Sequence, residues 1–383
     1  MEEIRNPFIL GHRISRPYFC DREEEEKQLV NAVTNGRNVV LISPRRMGKT
    51  SLVQIALNDS EFIKENYLTF FFDILQTNTL SEFTYLLGKA IFDTLRSKSI
   101  NRVQGFLASL KSLKGRFGFD PISGTPTFDV QLGDIRHPEY TLGEIFKYVE
   151  QSDKPVIIMI DEFQQITKYP EKNTEAILRS HMQMLGNATF VFAGSERTIL
   201  QEMFVSSKRP FYNSSEIMYL KPINEDVYIE FVCRLFSGRG KEMEPEPIRW
   251  AFRLLEGNTF YMQWTMNGAF ADTPEGNVCD QETVRNAVKA ILTSNEVIYR
   301  EMLSNISVSL KLVLVAIAQE RIVKQPLSGQ FIRKNSLPSA SSVQSALRRL
   351  TKAGLIANTE EGYSLTDPLF RLFINEQYST SLI

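Results

Sequence analysis

The chain has 383 residues, with 44 Lys and Arg against 45 Asp and Glu, so its formal net charge is -1. This balance excludes a protein that binds polyanions through bulk charge, and any nucleic-acid surface has to be local. The three cysteines are far apart and none lies in a CxxC pair, which argues against a disulfide framework or a cysteine zinc site. No secretory signal is visible, and no apolar run approaches the roughly 20 residues that span a bilayer. We therefore expect a cytoplasmic protein without membrane insertion.

The first half of the chain alternates between short apolar runs and segments with helical spacing. Strands are predicted for residues 38–43, 67–75, 155–160 and 188–193, and helices for residues 22–33, 47–57, 81–95 and 141–151. Continuous apolar strands between helices indicate an α/β fold with a parallel sheet covered on both faces. Residues 117–137 are rich in Gly, Pro and Asp, which predicts an inserted loop or small hairpin.

The second half has a helical pattern from residue 223 onward. Helices are predicted for residues 225–236, 245–255, 261–270, 281–303, 308–319, 330–334 and 339–352. Two short strands over residues 357–365, with a turn at Glu361-Gly362, follow the last three of these helices, and this order is typical of a winged helix. Three domains are predicted: residues 1–222, a helical domain over 223–303 and a winged helix over 304–383.

The clearest motif is SPRRMGKTS over residues 43–51, between a predicted strand and a predicted helix. It matches the phosphate-loop pattern G-x-x-x-x-G-K-[ST], except that Ser43 replaces the first glycine. In this chemistry backbone N–H groups surround the phosphates, the lysine reaches the β- and γ-oxygens, and the hydroxyl after it binds Mg²⁺. The predicted nucleotide-binding residues of this loop are Arg45, Arg46, Met47, Gly48, Lys49, Thr50 and Ser51.

An acidic pair, Asp161-Glu162, ends the buried run PVIIMI roughly 110 residues after the loop. Ligands of open α/β sheets bind at the carboxyl ends of the strands. Asp161 is therefore predicted to bind Mg²⁺ together with Thr50, and Glu162 to orient or polarise the attacking water.

A further buried run ends in Gly194-Ser195-Glu196-Arg197. Ser195 is predicted to lie beside the γ-phosphate, and Arg197 is a candidate charge stabiliser; the alternative is a plain helix cap at Ser195. Lys208-Arg209 is a second candidate source of an arginine for the phosphates, against the interpretation of a solvated loop.

The C-terminal region has a local excess of positive charge, with nine basic and four acidic residues over 304–375, a net of +5. The helix predicted over residues 339–352 is expected to act as the recognition helix and to contact DNA, with its first residues at the bases and later ones at phosphates. Winged helices also serve as protein-contact modules. The candidate DNA contacts are Ser339, Ser341, Gln344, Arg348 and Arg349.

Together these motifs resemble the archaeal-type, AAA-like ATPases of the STAND branch of P-loop NTPases. The resemblance extends from Phe19-Cys20-Asp21-Arg22-Glu23 through IDEFQ at residues 160–164 to YSLTDPLF at residues 363–370. It implies a P-loop three-layer core, a helical lid over bound ATP or ADP, and a winged helix that moves with the nucleotide state. It also implies that Asp21 and Arg22 flank the adenine. Departures are Ser43, a Gly257-Asn258-Thr259 turn that lacks the family's proline, and Tyr212-Asn213-Ser214 in place of Tyr-Gly-Arg.

The sequence thus predicts a Mg²⁺-dependent ATP hydrolase, or a slow ATP/ADP switch, with a winged helix that contacts DNA or a protein. Two other interpretations stay open: a DNA-binding regulator that binds nucleotide with negligible hydrolysis, and an interaction scaffold with a vestigial site. A P-loop kinase is less favoured, because nothing in the sequence marks an acceptor pocket with a closing lid.

Overall fold

The computed structural model describes residues 6–11, 14–44, 46–113, 118–119, 126–128 and 130–378. The chain divides into two compact units, one of Arg22–Lys221 and one of Met1–Asp21 with Pro222–Ile383. Within the described ranges, no helix combines the length and the apolar character needed to cross a bilayer. The finer division into three domains stays a prediction.

A five-stranded parallel sheet lies at the centre of the first unit. The strands of this unit are β1 (Val39–Ile42), β2 (Leu68–Asp73), β3 (Gly118–Phe119), β4 (Pro126–Thr127), β5 (Val156–Asp161), β6 (Ala188–Gly194) and β7 (Glu216–Tyr219). The central sheet has the order β2-β5-β6-β1-β7, with every neighbouring pair parallel. The four predicted strands are all present. The fifth, β7, has only four residues at the edge of the sheet and is half exposed, so its sequence lacks the continuous apolar run of a central strand.

Helices cover both faces of this sheet. The helices of the first unit are α1 (Glu23–Thr34), α2 (Lys49–Asn58), α3 (Glu61–Asn66), α4 (Leu80–Arg96), α5 (Ile100–Ser109), α6 (Pro138–Glu150), α7 (Thr174–Gln183) and α8 (Arg197–Val205). Because successive strand residues point to opposite faces, Val39 and Leu41 pack with α1 to α3, whereas Val40 and Ile42 belong to the core of the face formed by α4 to α8. The predicted α/β class and three-layer core are confirmed.

The insertion predicted over residues 117–137 contains a small antiparallel hairpin. Gly118 of β3 pairs with Thr127 of β4, and a 3-10 turn follows at Leu132–Asp134. Residues 117, 120–125 and 129 of this segment lie outside the described residues. The pattern-based prediction missed α3, α5, α7 and α8, which have six to ten residues each.

The second unit is mostly helical. Its elements are α9 (Glu225–Ser237), β8 (Glu242–Met243), α10 (Pro245–Leu254), α11 (Thr259–Asp272), β9 (Val278–Cys279), α12 (Gln281–Ser304), α13 (Val308–Glu320), α14 (Gly329–Lys334), α15 (Ala340–Lys352), β10 (Ile356–Thr359), β11 (Gly362–Leu365) and α16 (Pro368–Tyr378). The prediction of a purely helical pattern between the core and the winged helix was wrong in one detail, because β8 and β9 form a short parallel pair. Three helices followed by the β10–β11 hairpin give the expected winged-helix outline, and α16 closes it.

Buried polar groups connect the helices of the second unit. Asp367 accepts hydrogen bonds from the hydroxyls of Tyr261 at 2.8 Å and Tyr299 at 3.3 Å, while its other oxygen caps the start of α16. Burial raises the pKa of Tyr299 far above its ordinary value, and the Asp367 carboxylate adds to this shift. The Tyr299 hydroxyl therefore stays protonated as a donor at any physiological pH, so one carboxylate joins α11, α12 and α16.

Gly257, between α10 and α11, offers a test of how tightly the chain packs at this turn. Gly257 has φ +63°, and a Cβ there would lie 2.8 Å from Cζ of Phe252 and 3.1 Å from Cβ of Pro222. We expect Gly257→Ala to destabilise the protein by about 3 kcal/mol, since steric overlap adds to the roughly 1–2 kcal/mol cost of a left-handed alanine. Thermal unfolding of both variants measures this, with Gly276→Ala as the control, because Gly276 has φ +81° but open space around it. Equal decreases in Tm would contradict the steric part.

Candidate nucleotide site

The phosphate loop connects the end of β1 to the start of α2. Arg46 and Gly48 both have left-handed backbone, with φ 66° and 84°, and Gly48 is the residue that caps α2. Alternation of left- and right-handed residues turns consecutive N–H groups toward one side, which creates a concave site for an anion at the positive end of the helix. A Cβ added at Gly48 would meet nothing within 4 Å, so the space beside the loop is open. Arg45, also predicted here, lies outside the described residues.

Lys49 is buried, with 6% of its surface exposed, at the first position of α2. Its ammonium lies 3.2 Å from the carbonyl oxygen of Pro44 and 3.3 Å from the hydroxyl oxygen of Ser43. The Lys49 side chain therefore turns back toward the start of the phosphate loop, at Ser43 and Pro44. Ser43 is where the phosphate-loop pattern has glycine, and here its hydroxyl gives the ammonium an additional acceptor.

Arg22 connects the loop to the start of α1. Its guanidinium is 3% exposed, pairs with Glu25 at 2.8 Å, and donates to the carbonyl of Met47 at 3.5 Å. Ser51 is half-buried in the first turn of α2. In the second unit Asp21 accepts a hydrogen bond from the N–H of Asn224 at 3.2 Å. Contact of Asp21 and Arg22 with an adenine stays a prediction.

Thr50 and Asp161 meet at the carboxyl edge of the sheet. The Thr50 hydroxyl donates to Oδ2 of Asp161 at 2.7 Å, and the N–H of Glu162 donates to Oδ1 at 2.9 Å. Burial raises the pKa of the Asp161 carboxyl, the hydrogen bond from Thr50 counteracts this shift, and the charges of Glu162 and Asp73 raise the pKa further. A hydroxyl and a carboxylate in contact, beside further negative charge, are suited to bind a divalent cation with oxygen ligands.

Glu162 points toward β6. Its backbone is left-handed, with φ 54°, which turns the chain sharply after β5. Oε2 of its carboxylate accepts from the hydroxyl of Ser195 at 2.8 Å, from the N–H of Ser195 at 3.3 Å, and from the amide of Gln164. The structure thus brings Ser195 and Glu162 together, as it does Thr50 and Asp161.

Two neighbours of the site were missed in the sequence. Asp73 ends β2 and pairs in register with Asp161. The signal was available, since an acid after a buried strand is what identified Asp161. Gln164 is fully buried beside Glu162. It belongs to the IDEFQ motif at residues 160–164, but no role was predicted for its side chain.

The candidate arginines contact other groups. The Arg197 guanidinium lies 5.5 Å from the ring centre of Tyr219, and Arg209 pairs with Glu175 at 2.6 Å and Glu202 at 3.7 Å. Lys208 is exposed. These contacts stabilise the surroundings of α8 and do not involve the phosphate loop.

The predicted DNA-contact residues share the solvent face of α15. Ser339 caps this helix by accepting from the N–H of Ser342 at 3.2 Å. Core and solvent faces separate cleanly, since Val343 and Leu347 are buried. The exposed residues from the cap to the end of α15 are Ser339, Ala340, Ser341, Ser342, Gln344, Ser345, Arg348, Arg349 and Lys352. The tip of the hairpin, in contrast, exposes Glu360 and Glu361.

A parallel sheet with a phosphate loop after β1 and an acidic pair after β5 defines the class of P-loop ATPase folds. Within this class, the chain belongs to the family described as an ATPase domain predominantly from Archaea, whose model matches residues 19–263. A second model, described as a probable winged helix domain, matches residues 297–376. No curated protein matches the chain in sequence.

Solved structures share the fold over nearly the whole chain. The Walker-type ATPase PABY2304 of Pyrococcus abyssi is 19% identical with a TM-score of 0.69, covering 96% of this chain and 99% of its own. The ORC2 protein of Aeropyrum pernix, solved in ADPNP-ADP complexes, is 14% identical with a TM-score of 0.59, covering 98% and 99%. The Aeropyrum pernix ORC1 protein in complex with DNA is 13% identical with a TM-score of 0.52, covering 97% and 96%. At these identities the likeness concerns the fold.

Proposed function

We propose that this protein binds ATP with Mg²⁺ at the loop between β1 and α2 and hydrolyses it. The observation that carries the proposal is the 2.7 Å contact between Thr50 and Asp161, next to the buried ammonium of Lys49. The residues fit the ligand, because the loop is open beside Gly48 and its left-handed residues form an anion site at a helix start. Family membership supports the same function.

Each side chain takes a role that its position allows. Lys49 would bind the β- and γ-phosphate oxygens, and Thr50 and Asp161 would hold Mg²⁺, whose charge would stabilise the transferring phosphoryl group. Glu162 would orient the attacking water and take its proton. Ser195 would lie beside the γ-phosphate, and Asp21 and Arg22 would lie near the base. Residues 223–303 would then be the helical lid, and residues 304–383 the module that responds to the nucleotide.

Binding and turnover together separate this function from its alternatives. We expect the purified protein to bind ATP and ADP in calorimetric titrations and to release phosphate from ATP only when Mg²⁺ is present. Tight binding without phosphate release would instead identify a nucleotide-binding regulator. Lack of affinity for either nucleotide would identify a scaffold with a vestigial site.

For the second unit we propose contact with DNA through the solvent face of α15. Three basic and several hydroxyl or amide side chains are exposed there, and α15 carries no carboxylate. Hydroxyl and amide side chains can contact base edges in a DNA groove, and basic side chains can contact the phosphates on either side of it. The neighbour solved with DNA has a related fold. The exposed carboxylates of Glu360 and Glu361, at the tip of the β10–β11 hairpin, would repel phosphates. We therefore propose α15, and not this hairpin, as the DNA contact.

Salt dependence tests this contact. We expect Arg348→Ala with Arg349→Ala to weaken binding to double-stranded DNA and to lower the slope of log K against log salt by about 2, because each phosphate contact contributes about one. Fluorescence anisotropy over a salt series measures both quantities. Arg300→Ala is the control, since Arg300 is exposed on α12 and pairs with Glu296. Binding that is absent in the wild type, or equal in all variants, would favour a protein partner.

A further inference from the structure

One buried side chain beside the proposed site has no assigned role. Gln164 is 0% exposed, although it follows Glu162 in a turn at the edge of the sheet. Its amide nitrogen donates to Oε2 of Glu162, and its amide oxygen is buried with no hydrogen-bond partner among the described residues. Burial of an unsatisfied amide oxygen is unfavourable, so the local structure keeps this glutamine at a cost in stability.

The neighbouring strand is shaped around this amide. Gly194 is the last residue of β6, and a Cβ there would lie 1.9 Å from Oε1 of Gln164 and 2.8 Å from Cδ1 of Leu200. Any other residue at this position would displace the Gln164 side chain. The glycine is therefore required for the position of the Gln164 amide, and not only for the end of the strand.

The contacts converge on one oxygen of Glu162. The amide of Gln164 and both the hydroxyl and the N–H of Ser195 donate to Oε2. Donors on one carboxylate oxygen fix the rotamer of the side chain and direct the second oxygen elsewhere. The backbone of Glu162 is left-handed, and two groups hold its carboxylate. One is Gln164, in the turn that contains Glu162, and the other is Ser195, directly after β6.

We propose that Gln164 is a positioning residue for Glu162, and that Gly194 makes room for it. This inference rests on the proposed function, in which Glu162 acts on the attacking water. Gln164 does not touch the nucleotide; it holds one carboxylate oxygen so that the other faces the water. Loss of the amide donor lets the carboxylate rotate, which lowers turnover but leaves the phosphate loop and its affinity for ATP intact.

Gln164→Met removes the amide while preserving length and burial. We expect kcat to fall about tenfold to 100-fold, the range for loss of one hydrogen bond to a charged group. Both KM and the Kd for ATP should stay within about twofold, because neither depends on the Glu162 rotamer. Gly194→Ala should reproduce this decrease in kcat, since it displaces the same amide. Phosphate release and calorimetric ATP titrations measure these values.

Gln165→Met is the matched control. Gln165 is the next residue, is also buried, and donates its amide to the carbonyl of Thr77 at 2.8 Å rather than to Glu162. Its replacement disturbs the same turn without touching the carboxylate, so kcat should remain at the wild-type value. An equal decrease in both methionine variants would overturn the proposal in favour of a merely structural role.

A double-mutant cycle makes the test specific. In a Glu162→Gln background, Gln164→Met should cause no further decrease in single-turnover hydrolysis, because no carboxylate remains to be oriented. Additive decreases would overturn the proposal, as would wild-type kcat in Gln164→Met. Failure of the proposed function is a different result: a wild type that binds no ATP, or binds it without turnover, overturns the hydrolase assignment before any Gln164 variant is compared.

Discussion

Lys49→Ala is expected to weaken ATP binding by at least about 100-fold. The ammonium is buried over the phosphate loop, and an alanine there provides no donor to the phosphate oxygens that the lysine is proposed to bind. Loss of two charge-assisted hydrogen bonds, each contributing about 1.5–3 kcal/mol, accounts for a factor of this size. Calorimetric titration with ATP and with ADP in the presence of Mg²⁺ measures the change.

The control for this variant is Lys64→Ala. Lys64 is exposed on α3 of the same unit, so its loss removes one positive charge without touching the loop. Thermal unfolding of both variants checks that the fold persists. If Lys49→Ala and Lys64→Ala bind ATP with the affinity of the wild type, the phosphate-loop assignment is wrong.

Glu162→Gln should abolish most turnover and leave nucleotide affinity nearly unchanged. A glutamine has the same shape and can still accept hydrogen bonds from Ser195, but it cannot take a proton from water. General-base catalysis typically contributes about 10²–10⁴-fold, and kcat should fall by this factor. Phosphate release under saturating ATP, together with a binding titration, separates the chemical step from binding.

An exposed carboxylate on the same unit provides the comparison. Glu65→Gln, on α3, changes the net charge by the same amount and should keep wild-type turnover. Equal kcat values for wild type and Glu162→Gln would remove Glu162 from the chemistry. In that case a slow rate in both proteins would favour the regulator with negligible hydrolysis.

The sequence predicted the core of the site because its signals are local. Gly48, Lys49 and Thr50 are consecutive, and a buried apolar run before Asp161 places that carboxylate at the end of a strand. Since parallel strands share one carboxyl edge, the contact between Thr50 and Asp161 could be expected without coordinates. The winged helix was predictable for a similar reason, because the order of its elements is characteristic.

What the sequence did not reveal depends on tertiary contacts. The amphipathic edge strand β7 needs β1 beside it to form, and the buried state of Gln164 depends on a glycine thirty residues later in the chain. The contacts of the candidate arginines also depend on tertiary structure. Arg209 was a candidate because it belongs to a basic cluster after the fourth predicted strand, and its pairs with Glu175 and Glu202 depend on how the chain folds after β6.

The carboxylates of Asp367 and Glu256 connect separate helices of the second unit and so couple their movements. Asp367 receives hydroxyl groups from α11 and α12, and Glu256, in the turn before α11, pairs with Arg321 at 3.2 Å and Arg371 at 3.1 Å. These links cross from the proposed lid helices to the C-terminal module. Because Tyr261 of α11 and the start of α16 share the Asp367 carboxylate, we expect a tilt of α11 to displace α16 with it.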